Sequence, residues 1–243
     1  MNVTYSLTSS MVIFTVITII YAVVKTMMSP NTPSEKYSNK SDSAILMAYA
    51  LIFFISQIVI NAINSSAACN NTKQPFLPIF LYTLFPFFFI FGSIILMLQI
   101  YKGWLNPFSN TIGYLIAMIM GKGSEAFTKI IATNNLKGDI IDESWNTNEI
   151  NKENYVDFMN KLHKKGGTEE PFPNVNPTSA YNKLYKMVIL KDTIAECVWY
   201  LLAGCLTISI TNNIIDIKIL RYPRVYSSEQ NNFIMNFSKK IIL

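Results

Sequence analysis

Apolar residues in this chain come in long blocks separated by short polar breaks. The first block is Leu7 to Val24, "LTSSMVIFTVITIIYAVV". Others run over about Ala44–Ile63, Phe76–Ile100 and Thr193–Ile214. Each predicts a membrane-crossing helix, because roughly 20 apolar helical residues cross the hydrocarbon core. No Lys or Arg precedes the first block, and no small-residue cleavage site follows it. It therefore reads as an uncleaved anchor. Lys25, directly after it, favours an outside N-terminus and a cytosolic Lys25 side.

Polar punctuation sets the boundaries. Pro30, Pro33 and "SEKYSNKSDS" break the chain, and Asp42 or Ser43 is placed to cap the second span. "NSSAACNNTKQP" separates the second span from the third. Gln57 and Asn61 lie four apart on one face of the second span. Such residues usually bond to neighbouring helices, and a transport path is the other reading. Pro86 removes a backbone bond in the middle of the third span and predicts a kink. Glu196 is the one acid near the edge of the last span. It either takes an interfacial or packing role, snorkelling beside Lys191 and Asp192, or makes a buried functional contact.

Beyond Gly121 the pattern changes. From Lys122 to Lys191 there are about as many acids as bases, and 122–180 predicts a mostly helical extramembrane segment. A short helix is expected over Ser124–Ile131. A better one covers Asn148–Lys165, where Ile150, Tyr155, Phe158, Met159 and Leu162 recur at helical spacing. Gly166 and Gly167 stop it, and "TEEPFPNVNP" reads as an extended linker. Ser179 caps a helix on which Tyr181, Leu184, Tyr185, Val188 and Ile189 form a stripe opposite Lys183, Lys186 and Lys191. That is the pattern of an interfacial amphipathic helix, continuing into the last span. Residues 216–243 form a basic tail whose end, "NFIMNFSKKIIL", either touches lipid or packs on a partner.

One stretch, "GWLNPFSNTIGYLIAMIMG" from Gly103 to Gly121, is apolar yet opens on polar residues. Asn106 before Pro107 reads as a helix N-cap with Pro at the first position; Ser109 or Asn110 is placed for a later start. A helix from there to Met120 is roughly 16–21 Å long at 1.5 Å per residue, too short for a core of about 30 Å. It is expected at the interface or against other helices. Ser109, Gly113, Ala117 and Gly121 recur every four positions, a stripe that lets helices approach closely. The stripe is either internal packing or a docking groove for a neighbouring chain.

Composition agrees with the blocks. Of the 243 residues 51% are hydrophobic and 14% charged, against roughly 25% charged in soluble domains. The formal charge of +5 sits in loops and tails without aromatic interleaving, which favours membrane flanks over nucleic-acid binding. Fourteen of the 20 Lys and Arg lie in 25–43 and 101–192, the loops the first span makes cytosolic. Cys197 and Cys205 are eight residues apart, about 12 Å along a helix, too far for a disulfide; Cys69 is in another loop. His163, beside Lys164 and Lys165, reads as a solvated helix-end histidine, not a metal ligand. Sequons at Asn2, Asn39, Asn64, Asn70 and Asn236 are attributed to chance in so Asn-rich a chain.

Reaction chemistry is not evident. There is no Gly-rich phosphate loop, HExxH, CxxC or Ser-centred elbow. The acids of "DIIDE", Asp139 to Glu143, read as a solvated loop. The spans contain no evident charge pair and no inverted repeat, which weighs against an ion carrier. The expectation is no enzyme, no cofactor, no metal and no small-molecule substrate.

Two stretches resemble a known family. "GWLNPFSNTIGYLIAMIMG" is similar to a Gly-Trp…Pro-Phe-Ser-Asn-Thr…Gly-Tyr segment in membrane proteins of nucleocytoplasmic large DNA viruses. Here it comprises Gly103, Trp104, Pro107, Phe108, Ser109, Asn110, Thr111, Gly113 and Tyr114. "ECVWYLLAGCLTISITNNII" resembles the last span of the same proteins through Trp199, Tyr200 and Gly204. Together the motifs cover about 40 of the 243 residues. The resemblance implies a virion inner-membrane or minor capsid protein, made in a host membrane of the endoplasmic-reticulum type. Its partners would be the lipid bilayer and capsid or other virion membrane proteins. A small transporter or channel is the alternative.

The expected architecture is mainly α. It has about four transmembrane helices, one short interfacial helix and a mostly helical extramembrane loop. Residues 1–121 form a three-span region ending in the interfacial helix, 122–180 the extramembrane segment, and 181–215 an amphipathic helix running into the fourth span. Residues 216–243 are the tail.

Overall fold

A computed structural model describes residues 3–30, 39–68, 76–121, 125–126, 129–130, 150–165 and 179–221. Several expectations lie outside these residues: the Pro33 break, the 69–75 loop with Cys69, the Asp139–Glu143 acids, the Gly166–Gly167 stop, the Pro-rich linker and the 222–243 tail. Of the short helix expected over Ser124–Ile131, only four residues are described.

Every regular element among the described residues is helical. They are α1 (Val3–Met28), α2 (Asn39–Ala68), α3 (Phe76–Pro86), α4 (Ser93–Ile100), α5 (Asn106–Phe108), α6 (Tyr114–Gly121), α7 (Tyr155–Lys165) and α8 (Ser179–Ile215). Among the described residues four stretches are long and apolar enough to cross a membrane: Leu7–Met28, Asp42–Ala67, Phe76–Ile100 and Ala180–Lys218. The chain is thus a mainly α polytopic membrane protein. Only 22% of the apolar window in each of the first three is buried within the chain. Side chains such as Ile20, Leu51, Ile55, Phe88 and Phe89 point outward, as expected of spans that face hydrocarbon.

Three boundaries differ from expectation. The second span starts at Asn39, so Asp42 lies inside its first turn, where an acid complements the helix dipole. Asn106 is not a cap, because a 3-10 turn over Lys102–Leu105 runs directly into it and its φ of -53° and ψ of -42° are helical. α7 starts at Tyr155, since Asn151 and Asn154 exchange side-chain bonds with each other's backbone in the preceding turn, a variant of the capping box. At Pro86 the missing N–H ends ordinary α bonding. The chain passes through a π-helical turn, Phe87–Gly92, before α4 resumes.

Packing divides the chain into two compact units. The first comprises 1–17, 50–94 and 202–243. Its centre is an aromatic cluster: the Phe14 ring lies 4.3 Å from Phe53, and Phe53 lies 4.8 Å from Phe91. Gly204 faces that cluster, and a Cβ there would collide with the Phe14 ring.

The second unit comprises 18–49 and 95–201. Its extended core packs Tyr155, Met159 and Leu162 of α7 against Tyr181, Leu184, Tyr185 and Val188 of α8, with Ala117 of α6 in the same cluster. The stripe on α8 is therefore covered by protein instead of lying on a lipid surface. The periodicity was that of an amphipathic helix, and α7 supplies the apolar partner. Lys191 does not belong to the solvated face; it is fully buried. His163 is likewise buried, with Nε2 3.0 Å from the Tyr181 hydroxyl. Burial holds its pKa below the ordinary histidine value.

Candidate functional site

Apart from Gly204, which lies in the first unit, the residues of the two motif stretches named above fall in the second unit. Trp199 of α8 donates its indole N–H to the Trp104 carbonyl at 2.8 Å. Its ring lies 5.8 Å from the Trp104 ring and 5.0 Å, edge-on, from Phe108. Further along, Ser109 donates to the Asp192 carboxylate at 2.6 Å, and Lys191 reaches the Asn110 side-chain oxygen at 3.4 Å. The Gly113 backbone lies against the Lys191 carbonyl, leaving no room for a Cβ. Two stretches about 90 residues apart in sequence thus run antiparallel along one another, Trp104 beside Trp199 and Ser109 beside Asp192.

Ser109, Gly113 and Ala117 face inward, and the last two pack without bulky side chains at the contact. Their stripe serves the approach to α8 of the same chain. Gly121 ends α6. The hydroxyl of Ser109 is committed to Asp192, not to capping. Pro107 is exposed, and its carbonyl accepts the Thr111 hydroxyl at 2.5 Å. Tyr114 packs at the edge of the α7–α8 core. Gly103 is different, since a Cβ there would meet nothing within 4 Å; packing gives no reason for a glycine.

Tyr200 is fully buried in a tyrosine cluster. Its ring is 5.8 Å from Tyr21 and 5.6 Å from Tyr49, and those two stack at 4.5 Å. The Tyr49 hydroxyl shares a 2.9 Å bond with Thr18. Tyr21 donates to Glu196 at 3.0 Å, and Lys25 forms an ion pair with the same carboxylate oxygen. The Lys25 and Glu196 side chains are only 11% and 9% exposed. This corrects one expectation, since the spans do contain a charge pair. Of the readings open for Glu196, snorkelling is set aside, because the side chain is held inside the protein. A buried carboxylate is tolerated because a cation and a hydroxyl compensate its lost hydration.

A second set of bonds ties the extramembrane segment to the spans. The Lys152 backbone N–H donates to Asp192 at 2.9 Å, and its ammonium pairs with Asp42 at 2.7 Å. One residue thereby joins the turn before α7 to both α8 and α2. Nothing in the sequence marks Lys152, because its partners lie 40 and 110 positions away. Asp42 and Lys25 were visible only as a helix start and a topology signal.

In the first unit, Asn61 donates to the Thr83 hydroxyl at 3.0 Å, and Thr83 donates in turn to the Ile79 carbonyl at 2.8 Å. That is interhelical bonding. Gln57 is buried, and its Nε2 has no partner among the described residues. Cys197 and Cys205 are free thiols. Among the described residues no three His, Cys, Asp or Glu side chains group as metal ligands. No protein-family profile, curated protein or solved structure matches the chain.

The arrangement is suited to holding elements together. Asp42, Asp192 and Glu196 are all engaged by Lys, Ser, Tyr or backbone donors.

Proposed function

We propose that this chain is a structural transmembrane component of an icosahedral large DNA virus particle. In this reading it resides in the virion internal membrane, after assembly at a host membrane of the endoplasmic-reticulum type. It anchors that membrane to the capsid or to neighbouring membrane proteins. One observation carries the reading beyond the resemblance. The two motif stretches pack on each other through Trp199, Trp104 and Phe108, so the residues of the resemblance are spent on architecture and not on a reaction centre. The Lys152 bonds to Asp42 and Asp192 support it too, because they fix α7 to the span ends. An anchor that transmits force or position needs such a rigid junction.

The test is lysine cross-linking on intact particles. Lys161 and Lys164 are exposed on α7. The proposal predicts links from them to shell or membrane proteins of the particle. Recovery of links only within this chain would count against it. A small transporter would instead give solute flux in reconstituted liposomes that is lost on Gln57→Leu.

A further inference from the structure

Beside the junction lies a cavity of about 360 Å3, entirely within the second unit. Its charged lining includes Lys25, Asp42, Lys102, Lys152, Glu153 and Glu196. The volume is within the range of small-ligand sites, roughly 300–1,000 Å3.

The charges are not all engaged. Lys25 is paired with Glu196, and Lys152 with Asp42. Asp192, also in the lining, accepts from Ser109 and the Lys152 backbone. Lys102 and Glu153 remain. Among the described residues neither side chain makes an ion pair or a hydrogen bond, although the Lys102 charge acts on Glu153 through space. One unengaged cation and one unengaged anion therefore border the same space.

The location narrows the occupant. Lys25 is one turn from the end of the first span, Asp42 opens the second, and Gln99 is next to last in the third. Three span ends converge here, at the level of the lipid headgroups just outside the hydrocarbon. A lone phosphate in this cavity would face four carboxylates, and a lone cation three ammonium groups. A ligand carrying both charges meets both. Ile100, Tyr101 and Trp104, adjoining Lys102, are exposed and offer an apolar path for acyl chains.

We propose that this cavity binds the headgroup of a zwitterionic phospholipid bearing a primary amine. Its phosphate meets Lys102 and its ammonium meets Glu153. This goes beyond the virion reading and does not depend on it, since any membrane rich in such lipid would fill the site.

Native mass spectrometry of the full chain in detergent tests it, with phosphatidylethanolamine, phosphatidylglycerol and soluble phosphoethanolamine as probes. The expected result is preferential retention of phosphatidylethanolamine. Lys102→Ala and Glu153→Gln each reduce that retention several-fold, and Glu153→Gln leaves phosphatidylglycerol unchanged. Both side chains lack bonds in the fold, so the variants unfold at the wild-type temperature. The exchange Lys102→Glu/Glu153→Lys recovers part of the loss. Equal retention of both lipids, indifferent to either substitution, would mean annular lipid only and overturn the site. Retention of soluble phosphoethanolamine without preference for its lipid would overturn the lipid assignment.

Discussion

At the scale of single residues, the Lys25–Glu196 pair has the largest consequence. Removing one member leaves the other buried and uncompensated, which costs about 3–5 kcal/mol for such pairs. Glu196→Gln is therefore expected to lower unfolding stability by about that amount, measured by denaturant titration in detergent. Replacing both, Lys25→Met with Glu196→Met, should cost less than the single change, because no stranded charge remains. Additive losses would contradict the buried pairing. Glycines at the helix contacts give a second prediction. At Gly113 an added Cβ meets the Lys191 carbonyl, a backbone atom that cannot swing aside. Gly113→Leu should destabilise the isolated chain by at least the 1–3 kcal/mol typical of overpacking. A docking groove for another chain would leave the isolated chain unaffected. At Gly103, where the space is open, Ala should cost little.

At the scale of elements, α7 and its seat on α8 carry a pH dependence. His163 is buried and neutral, and its pKa is held below the usual value. The unfolded or undocked state then binds more protons as pH falls, so docking is full above about pH 6.5 and weakens below it. Amide hydrogen exchange across α7 should speed up, relative to α2, between pH 7 and pH 5. His163→Gln should flatten that difference. The Trp199 clamp gives another element-scale expectation. Trp199→Phe keeps an aromatic ring but loses the bond to the Trp104 carbonyl, costing about 1 kcal/mol; Trp199→Ala should cost several times more by thermal unfolding.

Elements were legible in the sequence to differing degrees, for physical reasons. Spans declare themselves because hydropathy is local, and all four blocks are helices. The stripe Ser109–Gly113–Ala117 was visible as spacing, yet spacing alone does not say what approaches it; the answer, α8 of the same chain, lies about 80 residues away. Tyr181, Leu184, Tyr185 and Val188 had the right period, but a stripe against lipid and one against protein look alike in sequence. The polar junction was hidden most completely. Lys25, Asp42, Lys152, Asp192 and Glu196 each have an ordinary local reading, and only the fold brings them to one place.

At the scale of the whole molecule, helix length matters. α8 has 37 residues, about 55 Å at 1.5 Å per residue, against a hydrocarbon core of about 30 Å. Its first turns must therefore project beyond the core, and they are the ones that carry α7. Lys25, Asp42, Lys102 and Lys152 line one cavity, which puts those ends of the first three spans and the turn before α7 on the same side of the bilayer. A membrane-impermeant amine reagent should label Lys102 and Lys161 from one side only, together, in sealed vesicles. The central claim, a structural place in a large DNA virus particle, is tested most directly by quantitative proteomics of purified particles before and after detergent extraction. The account predicts that the chain is present in intact particles and leaves with the membrane lipid. Its absence from purified particles would contradict the account.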